Sequence, residues 1–88
     1  MDLSNIKGQI WLDGQWIEWS EAKVHVLTHT LHYGVGVFEG VRAYSSDKGA
    51  SIFRLMDHTE RLFSSAKIVH LPMKFSKDQF NKVQIEVL

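Results

Sequence analysis

The segment His32-Tyr33-Gly34-Val35-Gly36-Val37-Phe38-Glu39-Gly40-Val41-Arg42-Ala43-Tyr44 combines a bend signal with a strand signal. From Val35 onward, Val37, Val41 and Ala43 alternate with Phe38, Gly40, Arg42 and Tyr44, the period of two expected of a β-strand. Both faces carry apolar residues apart from Glu39 and Arg42, so residues 35–44 are expected to form a central strand covered on at least one side. Gly34 and Gly36 permit a tight bend before it. Gly40, inside it, points to a bulge or to a group approaching the backbone closely. Phe38 reads as a core residue by type, with one wall of a ligand pocket as the alternative.

The flanks supply the remaining elements. Upstream, Ile10 to Trp19 is a run of β-formers interrupted by Asp13-Gly14, and Gly accepts the positive φ of a tight hairpin turn. Trp11, Trp16 and Trp19 are expected as core or sheet-face residues. Val24 to Leu27 is a short β-like run, with Thr28 to Gly36 as its polar, glycine-containing exit. Downstream, Ser45 to Gly49 is a polar turn and Ser51 to Leu55 the returning strand of a second hairpin. After Leu55 the period changes. Asp57 with Glu60 reads as a capping box, and Leu62, Ala66 and Val69, widened by Phe63, form a helical stripe that Pro72 ends. Ser76 with Gln79 reads as a second capping box ahead of Phe80, Val83, Val87 and Leu88. This helix has no stop signal, so a truncated chain is expected. The fold class is α+β: a small antiparallel sheet built from hairpins, with two helices packed on it.

Composition narrows the functional classes. Eighty-eight residues suit one small domain. Apolar residues make up 44% and charged ones 23%, which argues for a packed domain rather than disorder. Ten basic and ten acidic side chains balance to zero, leaving no electrostatic case for nucleic acid or an anionic membrane as partner. The absence of cysteine excludes disulfides, thiolate zinc sites and a thiol nucleophile. Met1–Asn5 lacks a secretory pattern and no long apolar run follows, so a cytoplasmic protein is expected.

Few residues carry chemistry by pattern. His25, His29 and His32 would share a helical face and bind zinc only if one continuous helix held all three, and the extended character of Val24–Leu27 argues against that. His58 and His70 have no partner by spacing. The glycines fit neither a dinucleotide fingerprint nor a nucleotide P-loop, and no serine sits in a nucleophile elbow. Arg61 is more informative: it lies off the apolar stripe, and its planar fork suits a phosphate or carboxylate. From the residues alone, a surface arginine paired with Asp57 or another nearby acid is the favoured reading, and an anion site the alternative.

The string His32-Tyr33-Gly34, then Val37-Phe38-Glu39-Gly40-Val41-Arg42-Ala43-Tyr44, resembles the N-terminal domain of branched-chain amino acid aminotransferases, pyridoxal-phosphate enzymes of fold type IV. Trp11-Leu12-Asp13-Gly14, Ala22-Lys23-Val24-His25-Val26, Ile52-Phe53-Arg54, His58-Thr59-Glu60-Arg61-Leu62, Ser65-Ala66-Lys67 and Pro72 extend the likeness over nearly the whole chain. Phe-Glu-Gly favours this branch over D-amino acid aminotransferases and aminodeoxychorismate lyases, whose loop is expected to read more like Phe-Gly-Asp-Gly. The resemblance implies that Arg61 holds the phosphate of pyridoxal 5′-phosphate. It implies that Phe38 and Tyr33 line the side-chain pocket, Tyr33 across a dimer interface, and that Gly40 and Arg42 lie on the substrate-facing strand. Branched-chain amino acids and 2-oxo acids are the implied substrates, and a homo-oligomer the implied assembly. The Schiff-base lysine and the acid at the pyridine nitrogen belong, in the family, to a large C-terminal domain outside this chain. Lys23 and Lys67 match other motif positions, so no catalytic residue is assigned and the chain alone is expected to be inactive. The competing classes are another fold type IV enzyme and a non-catalytic module that associates through exposed apolar surface.

Overall fold

The structure is a computed structural model that describes residues 6–88, so the reading of Met1–Asn5 lies outside the described residues. In chain order the elements are β1 (Gln9–Leu12), β2 (Gln15–Glu18), a 3-10 turn (Trp19–Glu21), α1 (His29–Tyr33), β3 (Ala43–Ser46), β4 (Gly49–Ile52), α2 (Leu55–Ile68) and α3 (Lys77–Glu86). The α+β class stands, but as two separate antiparallel hairpins, β1–β2 and β3–β4, instead of one sheet.

The first hairpin forms where turn chemistry places it. Asp13 and Gly14 both take positive φ, 50° and 90°, the geometry that matches a two-residue turn to the twist of its strands. Gly14 is doubly constrained, because a Cβ there would lie 3.2 Å from the Phe75 ring. Trp11 packs edge-on against Phe75 and Phe80, with centroids 4.9 and 6.0 Å away, and Phe80 meets Phe63 of α2 at 5.5 Å. This aromatic cluster joins β1, α2 and α3.

The second hairpin is shifted from the expected register: its strands are Ala43–Ser46 and Gly49–Ile52, and Gly49 carries the positive φ of its turn. Residues 35–42 form no strand. Their period of two is nonetheless present, with Val35, Val37, Glu39 and Val41 half-buried and Gly36, Phe38, Gly40 and Arg42 exposed. Burial alternates with this period, yet Glu39 turns in and Phe38 out; the ladder needs a neighbour, and among the described residues neither sheet supplies one. Val24–Leu27 is also not a strand. There Leu27 N–H donates to His25 Nδ1 (3.0 Å), Thr28 N–H donates to His25 O (2.9 Å) and His32 Nε2 sits 2.7 Å from Val26 O. These local bonds use backbone groups that a ladder would need.

The expected capping box at Asp57 is corrected. α2 begins three residues earlier, after Arg54 as its N-cap in the left-handed region (φ 52°), and Asp57 in its first turn accepts from Arg54 Nε at 2.7 Å. Glu60 pairs instead with Lys77 across the helices at 2.8 Å. α2 also stops before Pro72. His70 takes φ 59°, its N–H reaches Lys67 O (3.2 Å) and that of Leu71 reaches Ala66 O (2.8 Å), a Schellman closure. At α3 the expected capping box is present in both directions: Ser76 Oγ accepts from Gln79 N–H (3.1 Å), and Gln79 Oε1 from Ser76 N–H (2.7 Å).

Where α2 and α3 meet, Thr59 is buried and satisfied: its hydroxyl donates to Asn81 Oδ1 (2.5 Å) and accepts from Gln84 Nε2 (3.2 Å). Ala66 is the other fully buried residue among those described. The chain exposes 7521 Å², where a compact protein of this mass exposes roughly 5,300 Å². Much of that surface is apolar, Phe38, Val26, Leu27, Leu31 and Ile68 included.

Replacing Ser76 by Ala should lower stability by about 1 kcal/mol in urea unfolding, because an N–H of α3 loses its acceptor. An unchanged midpoint would show that α3 does not depend on its cap.

Candidate functional site

Arg54, Asp57, His58 and Arg61 recur at i, i+3, i+4 and i+7 along α2 and its entry, so they share one face, while Thr59, Leu62, Phe63 and Ala66 occupy the side turned to the core. Together with Phe53, the four residues line an open cleft of about 390 Å³. Three of the five lining groups are basic or imidazole, and the one acid, Asp57, is paired with Arg54, which leaves Arg61 as the cation facing the cleft without an acid of its own helix.

Arg61 is anchored from outside its helix. Its Nε donates to both carboxylate oxygens of Glu39 at 3.0 Å each, and its Nη2 donates to Glu39 Oε1. His58 Nδ1 lies 2.8 Å from the same Oε1. The side chain of Glu39 is only 9% exposed and that of Arg61 is 67% exposed, so the carboxylate sits inside and the guanidinium reaches outward from it. No described residue accepts a hydrogen bond from Nη1. The arginine therefore does pair with an acid, as the favoured reading of Arg61 expected, but with Glu39 instead of Asp57, and the pairing leaves one side of the fork available.

These contacts fix the charges. The Arg61 hydrogen bond, followed by that of His58, holds the Glu39 carboxyl down to about 2 from 4.5, against a smaller opposing effect of burial. The same bond raises Arg61 above its ordinary value. Glu39 was legible in sequence only as the acidic interruption of an apolar segment. Its partners lie nineteen and twenty-two residues away, at no local spacing.

The other residues singled out in the sequence fall in different surroundings. Phe38, next to Glu39, is 91% exposed and is not core. It lies at an apolar groove of about 460 Å³ whose lining includes Trp11, Val37, Leu62, Phe80 and Val83. A Cβ built on Gly40 meets open space, so neither a close approach nor a ladder bulge explains that glycine among the described residues. Arg42 stacks its guanidinium 5.9 Å from the Tyr44 ring, and its carbonyl accepts from Phe53 N–H (3.1 Å). Tyr33 ends α1, exposed, with its ring 4.6 Å from that of His29. No hydrogen bond or ring contact joins Tyr33 or Arg42 to Arg61 among the described residues. Among the described residues Glu39 is the member of its segment that meets Arg61; Phe38 and Gly40 are its chain neighbours, and Phe38 lines the apolar groove instead of the Arg61 cleft. His29 and His32 lie on α1 and His25 outside it, and no group of three potential metal ligands assembles among the described residues. Lys67 opens on a different depression, with Phe63, Ser64 and Lys77.

The donor set fits a phosphate. The outward side of the Arg61 guanidinium offers charge-assisted N–H donors of the kind a phosphate dianion takes, and the one acid lining the cleft, Asp57, is paired with Arg54.

Comparison with known proteins gives the family of the chain. The family model for amino-transferase class IV matches residues 36–88. The branched-chain-amino-acid aminotransferase of Pseudomonas aeruginosa is 52% identical over 82 residues, which is 93% of this chain and 27% of that protein. The Escherichia coli K12 enzyme of the same name is 46% identical over 79 residues, 90% of this chain and 26% of its own length. Among solved structures, the T.th. branched-chain amino acid aminotransferase complexed with N-(5′-phosphopyridoxyl)-L-glutamate superposes with a TM-score of 0.90 at 43% identity, covering 93% of this chain and 28% of that one. The chain spans about a quarter of the length of the relatives it matches.

Because Glu39 is held down to about 2, the ion pair is complete above pH 4.5 and is lost as pH falls toward 2. A carboxyl-carbon NMR titration should place the Glu39 midpoint near 2, and Arg61→Ala should move it up toward 4.5. A wild-type midpoint at 4.5 would contradict the pairing.

The matched family model and the relatives agree: this chain belongs to the class IV aminotransferases.

Proposed function

We propose that this chain is the N-terminal, small-domain part of a branched-chain aminotransferase that transfers the amino group of leucine, isoleucine or valine to 2-oxoglutarate. The observation that carries the reading is the outward guanidinium of Arg61, clamped by Glu39 from the Phe38-Glu39-Gly40 segment, beside an exposed Phe38. The identities of 46% and 52% to branched-chain aminotransferases support it, as does the phosphopyridoxyl group named in the T.th. complex.

Arg61 is the residue that holds the phosphate of pyridoxal 5′-phosphate, and Arg54 and His58 add positive or donor character to the same cleft. The chemistry supplied by the bound cofactor is an aldehyde that takes up the amino group and a ring that withdraws electrons from the reacting carbon. The part played by this chain is binding and exclusion of water. Phe38 and Tyr33 supply an apolar wall for a branched side chain, each buried methylene contributing about 0.8 kcal/mol. Gly40 leaves its exposed face free of a side chain, and Arg42 lies two residues further along that face.

In this reading the lysine that would carry the cofactor and move the substrate proton belongs to the part of the relatives' length that this chain does not span, and Lys67 opens on a depression other than the Arg61 cleft. The whole enzyme is a homo-oligomer in the cytoplasm; no helix among the described residues is long and apolar enough to cross a membrane.

The full-length protein with pyridoxal 5′-phosphate should convert leucine and 2-oxoglutarate, and the 88-residue chain should not exceed cofactor alone. Phe38→Ala in the full-length protein should reduce the preference for leucine over alanine about tenfold in kcat/KM. Activity on aromatic or D-amino acids with none on leucine would assign the chain to another branch of the family.

A further inference from the structure

Arg61 gains little from its own helix: its side chain is long and two-thirds exposed, and a free arginine samples many rotamers that a bound one gives up. A ligand that has to order such a side chain binds more weakly than one meeting it already ordered. The contacts of Glu39 supply that order. Both carboxylate oxygens lie on Nε, Oε1 also takes Nη2, and His58 Nδ1 secures the carboxylate from the next turn of α2.

We propose that Glu39 is a positioning residue: its carboxylate, braced by His58, locks the Nε–Nη2 edge of Arg61 so that the Nη1 side meets a phosphate in a fixed orientation. This rests on the reading of Arg61 as the phosphate anchor and adds to it the group that orients the anchor. Two effects of Glu39 oppose each other. Its negative charge repels a phosphate, whereas its hydrogen bonds orient the donor. The carboxylate is nearly buried behind the guanidinium, and a paired charge behind its partner acts on a ligand more weakly than the exposed donor in front. Orientation therefore outweighs repulsion.

The two effects predict opposite signs. In the full-length protein, affinities for pyridoxal 5′-phosphate and for phosphate-free pyridoxal are compared by absorbance titration in wild type, Glu39→Ala, Glu39→Gln and Arg61→Ala. Glu39→Ala should weaken pyridoxal 5′-phosphate by about tenfold and leave pyridoxal unchanged, and Glu39→Gln, which keeps one acceptor for Arg61, should fall between it and wild type. Tighter or unaltered binding of the phosphate form in both Glu39 variants would show the residue to be a competing counter-ion and overturn the proposal. So would equal weakening of pyridoxal and its phosphate, the mark of general damage. If Glu39→Ala does not fold, the nearly isosteric Glu39→Gln carries the same comparison. Arg61→Ala separates the two claims: should it keep the preference for the phosphate form, the anchor reading fails and the positioning role with it. Loss of that preference in Arg61→Ala alone overturns only the role of Glu39.

Discussion

The Glu39 carboxylate is the point at which the irregular segment before β3 is fastened to α2. Residues 35–42 have no ladder to hold them, and the side-chain bonds from Glu39 to Arg61 and His58 tie them to the helix. Phe38 and Gly40 flank that fastening, so their placement follows from it. Val37 and Val41, on the same side as Glu39, then turn inward, and Phe38 stands outward at the rim of the apolar groove. The ion pair thereby joins the basic face of α2 to the segment that carries Phe38.

The two helices and the first hairpin are the support for this arrangement. The Trp11, Phe63, Phe75 and Phe80 rings fix β1 against α2 and α3, and the Thr59–Asn81–Gln84 bonds fix the two helices against each other. α2 turns Thr59 and Ala66 inward and so presents Arg54, Asp57, His58 and Arg61 on its free side. The small buried core and large apolar surface match a chain that spans about a quarter of the length of its relatives.

What the sequence made legible was the local chemistry. Asp13-Gly14 specifies a two-residue turn from its own backbone preferences, and Ser76 with Gln79 specifies a helix start through bonds three residues apart. Both appear as expected. The failures share a physical cause, which is competition from groups not adjacent in sequence. Asp57 and Glu60 look like a cap, but Arg54 takes the first and Lys77 the second. Residues 35–42 have the strand period without a paired neighbour, so side chains alternate in burial with no ladder, and Phe38, expected in the core, stands outward while Glu39 turns in. That Arg61 would pair with an acid was legible from its residue type; that the acid is Glu39 was not, because the two are twenty-two residues apart.

A crystal structure of the full-length protein with pyridoxal 5′-phosphate bound tests the account most directly. The account predicts a phosphate oxygen within hydrogen-bond distance of Arg61 Nη1 while Glu39 remains on Nε. A phosphate bound away from Arg61, or a Glu39 carboxylate displaced from the guanidinium when the phosphate arrives, would contradict it.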